Sequence, residues 1–119
     1  MDNYRIFVET VKLLASSPDI QLASIPELAC RPDEIAFCLE DIMPLMKDYV
    51  RDGIITKKVF SKMEEIDNLF ISFKKKDWSE IALTYSPKWE KIRGIANSVL
   101  DLIGEKLTPP NMFWITDIF

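Results

Sequence analysis

Carboxylates are the side chains of this sequence best suited to acid–base chemistry, because its 119 residues include no histidine. Histidine is the usual general base, the usual activator of Ser and Cys nucleophiles and a common metal ligand. Carboxylates stand side by side at Glu40 and Asp41 and again at Glu64 and Glu65. Adjacent residues of a helix point about 100° apart, so neither pair converges on one substrate. The sequence therefore predicts no catalytic residues and a protein that is not an enzyme.

Cys30 and Cys38 are the two cysteines. Two cysteines are too few for a disulfide framework or a four-ligand zinc site, and their spacing is not a known redox motif. We interpret both as reduced and used as small apolar residues. The acidic segments also lack the spacing of a calcium loop. We therefore expect neither a metal ion nor a cofactor.

Charge is divided unevenly along the chain. Residues 1–52 hold ten acidic and five basic side chains, whereas residues 53–119 hold nine acidic and ten basic ones. The total net charge of −4 thus comes from the first half. An acidic protein is poorly suited to cover nucleic-acid phosphates, so we expect no direct binding of nucleic acid.

The acidic side chains of the first half fall on one side of a predicted helix. At 100° per residue, six carboxylates lie within an arc of about 120°, and Phe37 projects near its middle. Ile35, Leu39 and Ile42 fall on the opposite side. We predict that this arc docks a basic partner, with Phe37 as an apolar anchor. Its carboxylates are Asp33, Glu34, Glu40, Asp41, Asp48 and Asp52.

Helical signals in the first half of the chain begin with an apolar face of helical spacing over residues 2–16. A short turn of helix is expected near Pro26–Cys30. A long helix is expected over Pro32–Asp52, with Gly53 as its C-terminal stop. Pro44 lies inside that span, which predicts either a kink or two helices meeting there.

The second half also contains helix start and stop signals. Thr56 is a candidate N-cap, Lys74–Lys76 reads as a short basic loop, and Asp77 or Ser79 would cap a brief helix. The last long helix is expected between Ser86 and Gly104. No strand alternation persists along the sequence. The predicted fold is all-α, a compact bundle of five to seven helices that forms a single domain over the whole chain.

The two ends of the chain bear on its location in the cell. Asp2 and the charges at Glu9 and Lys12 interrupt the first apolar segment, so no signal peptide is predicted. The longest uncharged run, Leu107–Thr116, contains two prolines and is too short to cross a bilayer. We expect a cytoplasmic protein that does not associate with membranes. The apolar segment Met112–Phe119 is expected to dock onto its own domain or onto another chain.

Two further functions fit parts of the sequence. The segment Ile25–Ile55 has the outline of a helix-turn-helix, which would suit a small transcription regulator, although its second helix would present carboxylates to phosphates. A non-enzymatic helical adaptor that pairs through the C-terminal apolar segment is the other alternative.

Spaced aromatic, proline and acidic residues between positions 33 and 103 carry a family resemblance. The sequence resembles small immunity proteins of bacterial polymorphic-toxin and contact-dependent growth inhibition systems. The residues concerned are Gly53-Ile54-Ile55-Thr56, Ile66-Asp67-Asn68-Leu69-Phe70, Asp77-Trp78-Ser79, Ala82-Leu83, Pro87-Lys88-Trp89-Glu90 and Ile92-Arg93.

The resemblance implies a cytoplasmic protein that binds one cognate toxin domain, one to one, and neutralises it. Many toxins of these systems are nucleases, often RNases that cleave tRNA, with basic substrate-binding surfaces. An acidic face is physically suited to such a partner. The resemblance assigns no binding residue, so the predicted partner-binding residues come from the helical arc alone.

Overall fold

A computed structural model describes residues 3–114, and these residues fold into six α-helices in a single all-helical domain. The number of helices lies within the predicted range. The helices are α1 (Asn3–Ala15), α2 (Pro18–Ser24), α3 (Arg31–Arg51), α4 (Lys57–Ile71), α5 (Glu80–Tyr85) and α6 (Pro87–Ile103), with a 3-10 turn at Lys75–Trp78 between α4 and α5.

Helix α1 lies at the centre of the domain. Every residue from Phe7 to Ser16 is buried, so the helix is enclosed on all sides along most of its length. It packs mainly on α6 and also on α3, while α4 packs on both α6 and α3. The core therefore lies between α1, α3, α4 and α6, and α3 has one face in this core and one face in solvent.

A buried polar network joins the end of α1 to α2 and α6. The side-chain amide of Gln21 donates to the carbonyl oxygens of Leu13 and Leu14, each at 3.1 Å. Arg93 of α6 donates to the Gln21 side-chain oxygen at 2.9 Å. Asn97 donates to the carbonyl oxygen of Ala15 at 3.2 Å. The bonds from Gln21 and Asn97 end on carbonyls in the last turn of α1, which have no donor within the helix.

Most of the predicted helix ends are confirmed. The Thr56 hydroxyl accepts from the backbone N–H of Val59, and the Ser79 hydroxyl accepts from that of Ala82. Gly53 and Gly104 follow α3 and α6 with φ of +73°, a conformation that glycine adopts without strain.

A turn is present near Pro26–Cys30 as predicted, but the helix that precedes it was not predicted. The helix there is Pro18–Ser24, whereas Pro26–Ala29 forms only a turn closed by the Ala29 N–H on the Pro26 carbonyl oxygen at 3.0 Å. Ile25 is extended, with φ −117° and ψ 136°, because a residue that precedes proline avoids the helical region. Pro26 therefore ends α2, and Pro18 begins it.

Helix α3 is continuous through Pro44, so the alternative of two helices meeting there is wrong. Pro44 is exposed, which leaves its ring in solvent rather than in the core. Pro44 has no N–H, so it cannot donate the helical hydrogen bond to the carbonyl of Glu40. Within residues 3–114, no helix is both long enough and apolar enough to cross a membrane.

Candidate functional site

Helix α3 carries all but one of the residues predicted to bind a partner, the exception being its C-cap Asp52, and its two sides differ as the helical arc predicts. The inner side is buried at Ile35, Cys38, Leu39, Ile42 and Met46. The outer side exposes Phe37, Glu40, Asp41, Asp48 and Asp52, with Asp33 and Glu34 half-buried. The core contacts hold the helix in place, so the outer side chains project from a fixed backbone.

The predicted arc divides into two electrostatically different halves. Near the end of α3, the Arg51 guanidinium lies 3.2 Å from the Asp48 carboxylate and 3.1 Å from that of Asp52. The same helical geometry places Arg51 inside the arc, where the sequence analysis counted only the acids. Arg51 therefore pairs with both Asp48 and Asp52 and offsets half of their negative charge.

The first half of the arc keeps its charge. Among residues 3–114, no Lys or Arg forms an ion pair with its four carboxylates. Phe37 stands between them with 50% of its surface exposed. We call this half the acidic face. It consists of Asp33, Glu34, Phe37, Glu40 and Asp41.

The N-terminal end of α3 is fixed by a two-point ion pair. Arg31 donates to both carboxylate oxygens of Glu80 on α5, at 2.7 and 2.8 Å. This hydrogen bonding lowers the pKa of the Glu80 carboxyl and raises the pKa of Arg31. The charge of Arg31 is thus directed to α5 rather than to the acidic face. Next to Glu34, the Pro26–Ala29 turn presents a fully exposed Leu28.

Beside Glu40, a notch opens between α3, α4 and the 3-10 turn. Its volume is about 80 Å³. Carboxylates line it from two helices, Glu40 on α3 and Asp67 on α4. The other lining residues are Ala36, Phe70, Ile71 and Trp78.

The aromatic side of the notch belongs to a rigid cluster. The Trp78 ring stacks on Phe70 with centroids 5.9 Å apart and 14° between the planes. Phe73 packs edge-on against Trp78 at 4.8 Å and against the buried Trp89 at 5.4 Å. Four aromatic rings from three segments therefore hold each other in place.

Asp77 fixes the turn that carries Trp78. Its carboxylate accepts from the backbone N–H of Lys74 at 2.8 Å and from the Lys88 ammonium at 3.0 Å. Its carbonyl oxygen accepts from Trp89 Nε1 at 2.9 Å. The Lys74 N–H, and then the Lys88 ammonium, hold the pKa of the Asp77 carboxyl below its usual range. Asp77 was one of two predicted caps of the helix that follows, but Ser79 caps that helix and Asp77 instead accepts from the N-cap residue Lys74 of the 3-10 turn.

The groups considered for chemistry are not gathered at one site. Cys38 is buried on the inner side of α3, where burial raises the pKa of its thiol to about 12, while Cys30 is exposed. Glu40 and Asp41 both point to solvent, as do Glu64 and Glu65. Within residues 3–114, no group of three or more acidic or cysteine side chains is placed to hold a metal ion.

The chain matches no protein-family model, no curated protein and no solved structure in comparisons of its sequence and fold. The candidate site is therefore defined by its own geometry.

Asp67, Ile71 and Trp78 are the residues next to the acidic face that the helical arc did not identify. They come from other elements, so their position depends on how α4 and the 3-10 turn pack on α3. Only Ile71 could have been noticed from the sequence. Ile71 is an apolar residue outside the buried stripe of α4, one helical turn after Asp67, and 73% of its surface is exposed.

Proposed function

We propose that this chain is an immunity protein that binds one cognate bacterial toxin domain and neutralises it. The observation that carries the proposal is the acidic face, where four carboxylates without ion pairs surround a half-exposed Phe37 on a helix fixed by the core. This arrangement suits a partner with a basic surface, and nuclease toxins, including RNases that cleave tRNA, have such surfaces. The family resemblance of the sequence supports the same function.

Charge and packing contribute differently to such an interface. Unpaired carboxylates attract a basic partner over a distance and increase the association rate. An exposed aromatic side chain surrounded by polar groups can be buried in the complex and slow dissociation. Because α3 is held by the core, few of its residues need to become ordered on binding, which favours affinity.

The two alternative functions have less support in the structure. A helix-turn-helix protein would place α3 in the major groove, but the outer side of its first half is acidic and would meet phosphates. An adaptor would use the C-terminal segment, yet Met112 is buried and Trp114 packs against the core of the same chain. Specific, salt-sensitive DNA binding in a gel shift would restore the first alternative.

Reversal of the charges of Glu40 and Asp41 tests the proposed surface. The E40K/D41K variant should associate with the cognate toxin domain at least about tenfold more slowly at low salt, because two attractive charges become repulsive. The toxin to use is the C-terminal domain of any large secreted protein found to be encoded beside this gene. Binding kinetics measure the effect, and survival of cells that express the toxin measures protection.

The matched control reverses the same number of charges at the C-terminal end of α3. D48K/D52K changes the net charge equally but alters carboxylates that are already paired with Arg51, so its association rate should fall less. Unchanged affinity and protection in E40K/D41K would show that the acidic face is not the interface. Equal losses in both variants would show that net charge alone acts.

A further inference from the structure

The notch beside Glu40 has the features of a receptor for one cationic side chain. We propose that it binds the guanidinium group of an arginine on the surface of the partner protein. The identity of that partner rests on the proposed function, whereas the site itself rests on the shape, charge and aromatic wall of the notch. Arginine would then be the residue by which a basic partner is positioned on α3.

The first argument is that two negatively charged residues line the notch. Glu40 and Asp67 approach the notch from two different helices, and neither forms an ion pair within residues 3–114. A guanidinium carries five N–H donors in a planar fork and can bond two carboxylates at once. A single guanidinium in the notch would therefore bond both carboxylates and offset one of their two charges.

The aromatic wall is the second argument, and it is independent of the carboxylates. Trp78 and Phe70 line the notch, and their rings are nearly parallel. Planar guanidinium groups stack on aromatic faces, and an arginine loses less hydration than a lysine when it does so. The same cluster already has a cation beside it, since the Lys88 ammonium lies 5.8 Å from the centroid of Phe73. Stacking on a ring favours arginine over lysine, because only the guanidinium is planar.

Size is the third argument. The notch has a volume of about 80 Å³, well below the roughly 300–1,000 Å³ of small-molecule pockets. Ala36 lines the notch and is buried, so its short side chain is what keeps the space open. The head of one side chain fits such a volume, whereas a drug-sized ligand does not.

Exposed apolar side chains lie at the notch and close to it. Ile71 lines it with 73% of its own surface exposed, and Phe37 stands one helical turn before Glu40 with half of its surface exposed. Apolar residues around a buried ion pair exclude water when a partner covers them, and this strengthens the pair. The arginine would therefore be bound more tightly within a protein interface than as a free molecule.

Titration with a small arginine derivative tests the site without a partner protein. N-acetyl-arginine amide, added to the isotopically labelled chain, should shift the NMR signals of the Trp78 indole, Asp67 and Ile71 with a saturable, millimolar dissociation constant. N-acetyl-citrulline amide, which has the same shape without the charge, should bind at least tenfold more weakly. Equal binding of the two, or no saturable shift at these residues, would overturn the proposal.

Two substitutions in the notch complete the test. D67N removes one charge at constant shape, and A36L fills the space. Either should weaken binding of the arginine derivative at least fivefold. D101N makes the same chemical change at an exposed position of α6 and should have no effect. If D67N folds normally and binds the arginine derivative as tightly as the parent chain, the proposed site is refuted, whether or not A36L folds.

The same variants separate this inference from the proposed function, because Asp67 and Ala36 are not part of the acidic face. If D67N binds the toxin domain as the parent chain does while E40K/D41K does not, the notch is refuted and the function is retained. If the arginine derivative binds the notch but no toxin domain binds the chain, the site is retained and the function is refuted.

Discussion

Asp77 shows how one side chain determines the position of the candidate site. Its side chain is only 6% exposed, and its carboxylate accepts hydrogen bonds from the Lys74 N–H and the Lys88 ammonium. Its backbone carbonyl accepts from the indole of Trp89. Through these bonds it fixes the 3-10 turn, and Trp78 at the end of that turn is held against Phe70. The aromatic wall of the notch thus depends on a carboxylate that does not line it.

The D77N variant should therefore be less stable, and the difference should depend on pH. The folded-state pKa of Asp77 is lowered, so its ionised form stabilises the fold above the ordinary Asp pKa of about 3.9. This contribution is lost as the pH falls through the lower folded-state pKa. Thermal unfolding should give D77N a lower midpoint than the parent chain at pH 7 and a much smaller difference near pH 2. An equal difference at both pH values would contradict the assignment, and D101N serves as the control.

Single residues were predicted from sequence where helical geometry alone decides their position. The outward position of Phe37 and Glu40 follows from the spacing of α3, as does the buried position of Leu39. Arg51 follows from the same geometry, but its pairing with Asp48 and Asp52 depends on side-chain conformations. Asp67 and Trp78 reach the site by packing of distant segments, which spacing along the chain does not encode.

Pro44 is the residue of α3 that should destabilise this helix most. The helix continues through it, although proline in a helix interior costs about 3 kcal/mol relative to alanine. Core contacts of α3 on both sides of Pro44, at Ile42 and Met46, offset this cost. The proline also leaves the Glu40 carbonyl without its helical donor, on the same side as the acidic face.

P44A should accordingly make the chain more stable. Restoring the helical N–H should raise the free energy of unfolding by about 1–3 kcal/mol, after allowance for the greater freedom of alanine in the unfolded chain. Urea denaturation followed by circular dichroism measures the change. P87A is the control, because proline suits the first position of α6 and its removal should bring no gain. A loss of stability in P44A would mean that the packing of α3 requires a proline bend.

At the level of elements, capping residues predicted the helices better than apolar spacing did. Thr56, Ser79 and Gly104 mark helix ends through hydrogen bonds or backbone conformation that involve only near neighbours. Helix α2 was missed because Pro18 can either end one helix or begin the next, and the apolar residues of that segment do not distinguish the two. The buried amide of Gln21 shows that tertiary bonds support this short helix.

Across the whole molecule, the segment after α6 folds back over α1. Glu9 and Lys12 are buried on α1, with their charged groups 3.5 Å apart. The Glu9 carboxylate accepts from the backbone N–H of Asn111 at 2.7 Å, and Lys12 donates to the Thr108 hydroxyl at 3.0 Å. From the sequence these two charges are interruptions of an apolar segment, because nothing in their spacing reveals a cover supplied by residues about a hundred positions later.

Apolar contacts complete this cover as far as the structure describes it. Met112 is buried, and Trp114 packs against the core of its own chain. The prediction that the C-terminal segment docks onto its own domain is therefore confirmed up to residue 114, and its last part, residues 115–119, lies outside the described residues. A segment used in this way is a structural part of the domain.

Removal of this cover should destabilise the chain without changing its oligomeric state. A chain that ends at Pro110 loses the Asn111 N–H on Glu9 and the buried Met112 side chain, whose burial contributes about 1.5–3 kcal/mol. Thermal unfolding should show a lower midpoint, and size-exclusion chromatography should show an elution volume like that of the full chain. M112A keeps the rest of the segment, so it should lose about 2 kcal/mol with the same elution volume. An altered elution volume, together with a full-chain midpoint that falls on dilution, would instead place the segment between copies of the chain, because an interface between copies stabilises the fold in a concentration-dependent way.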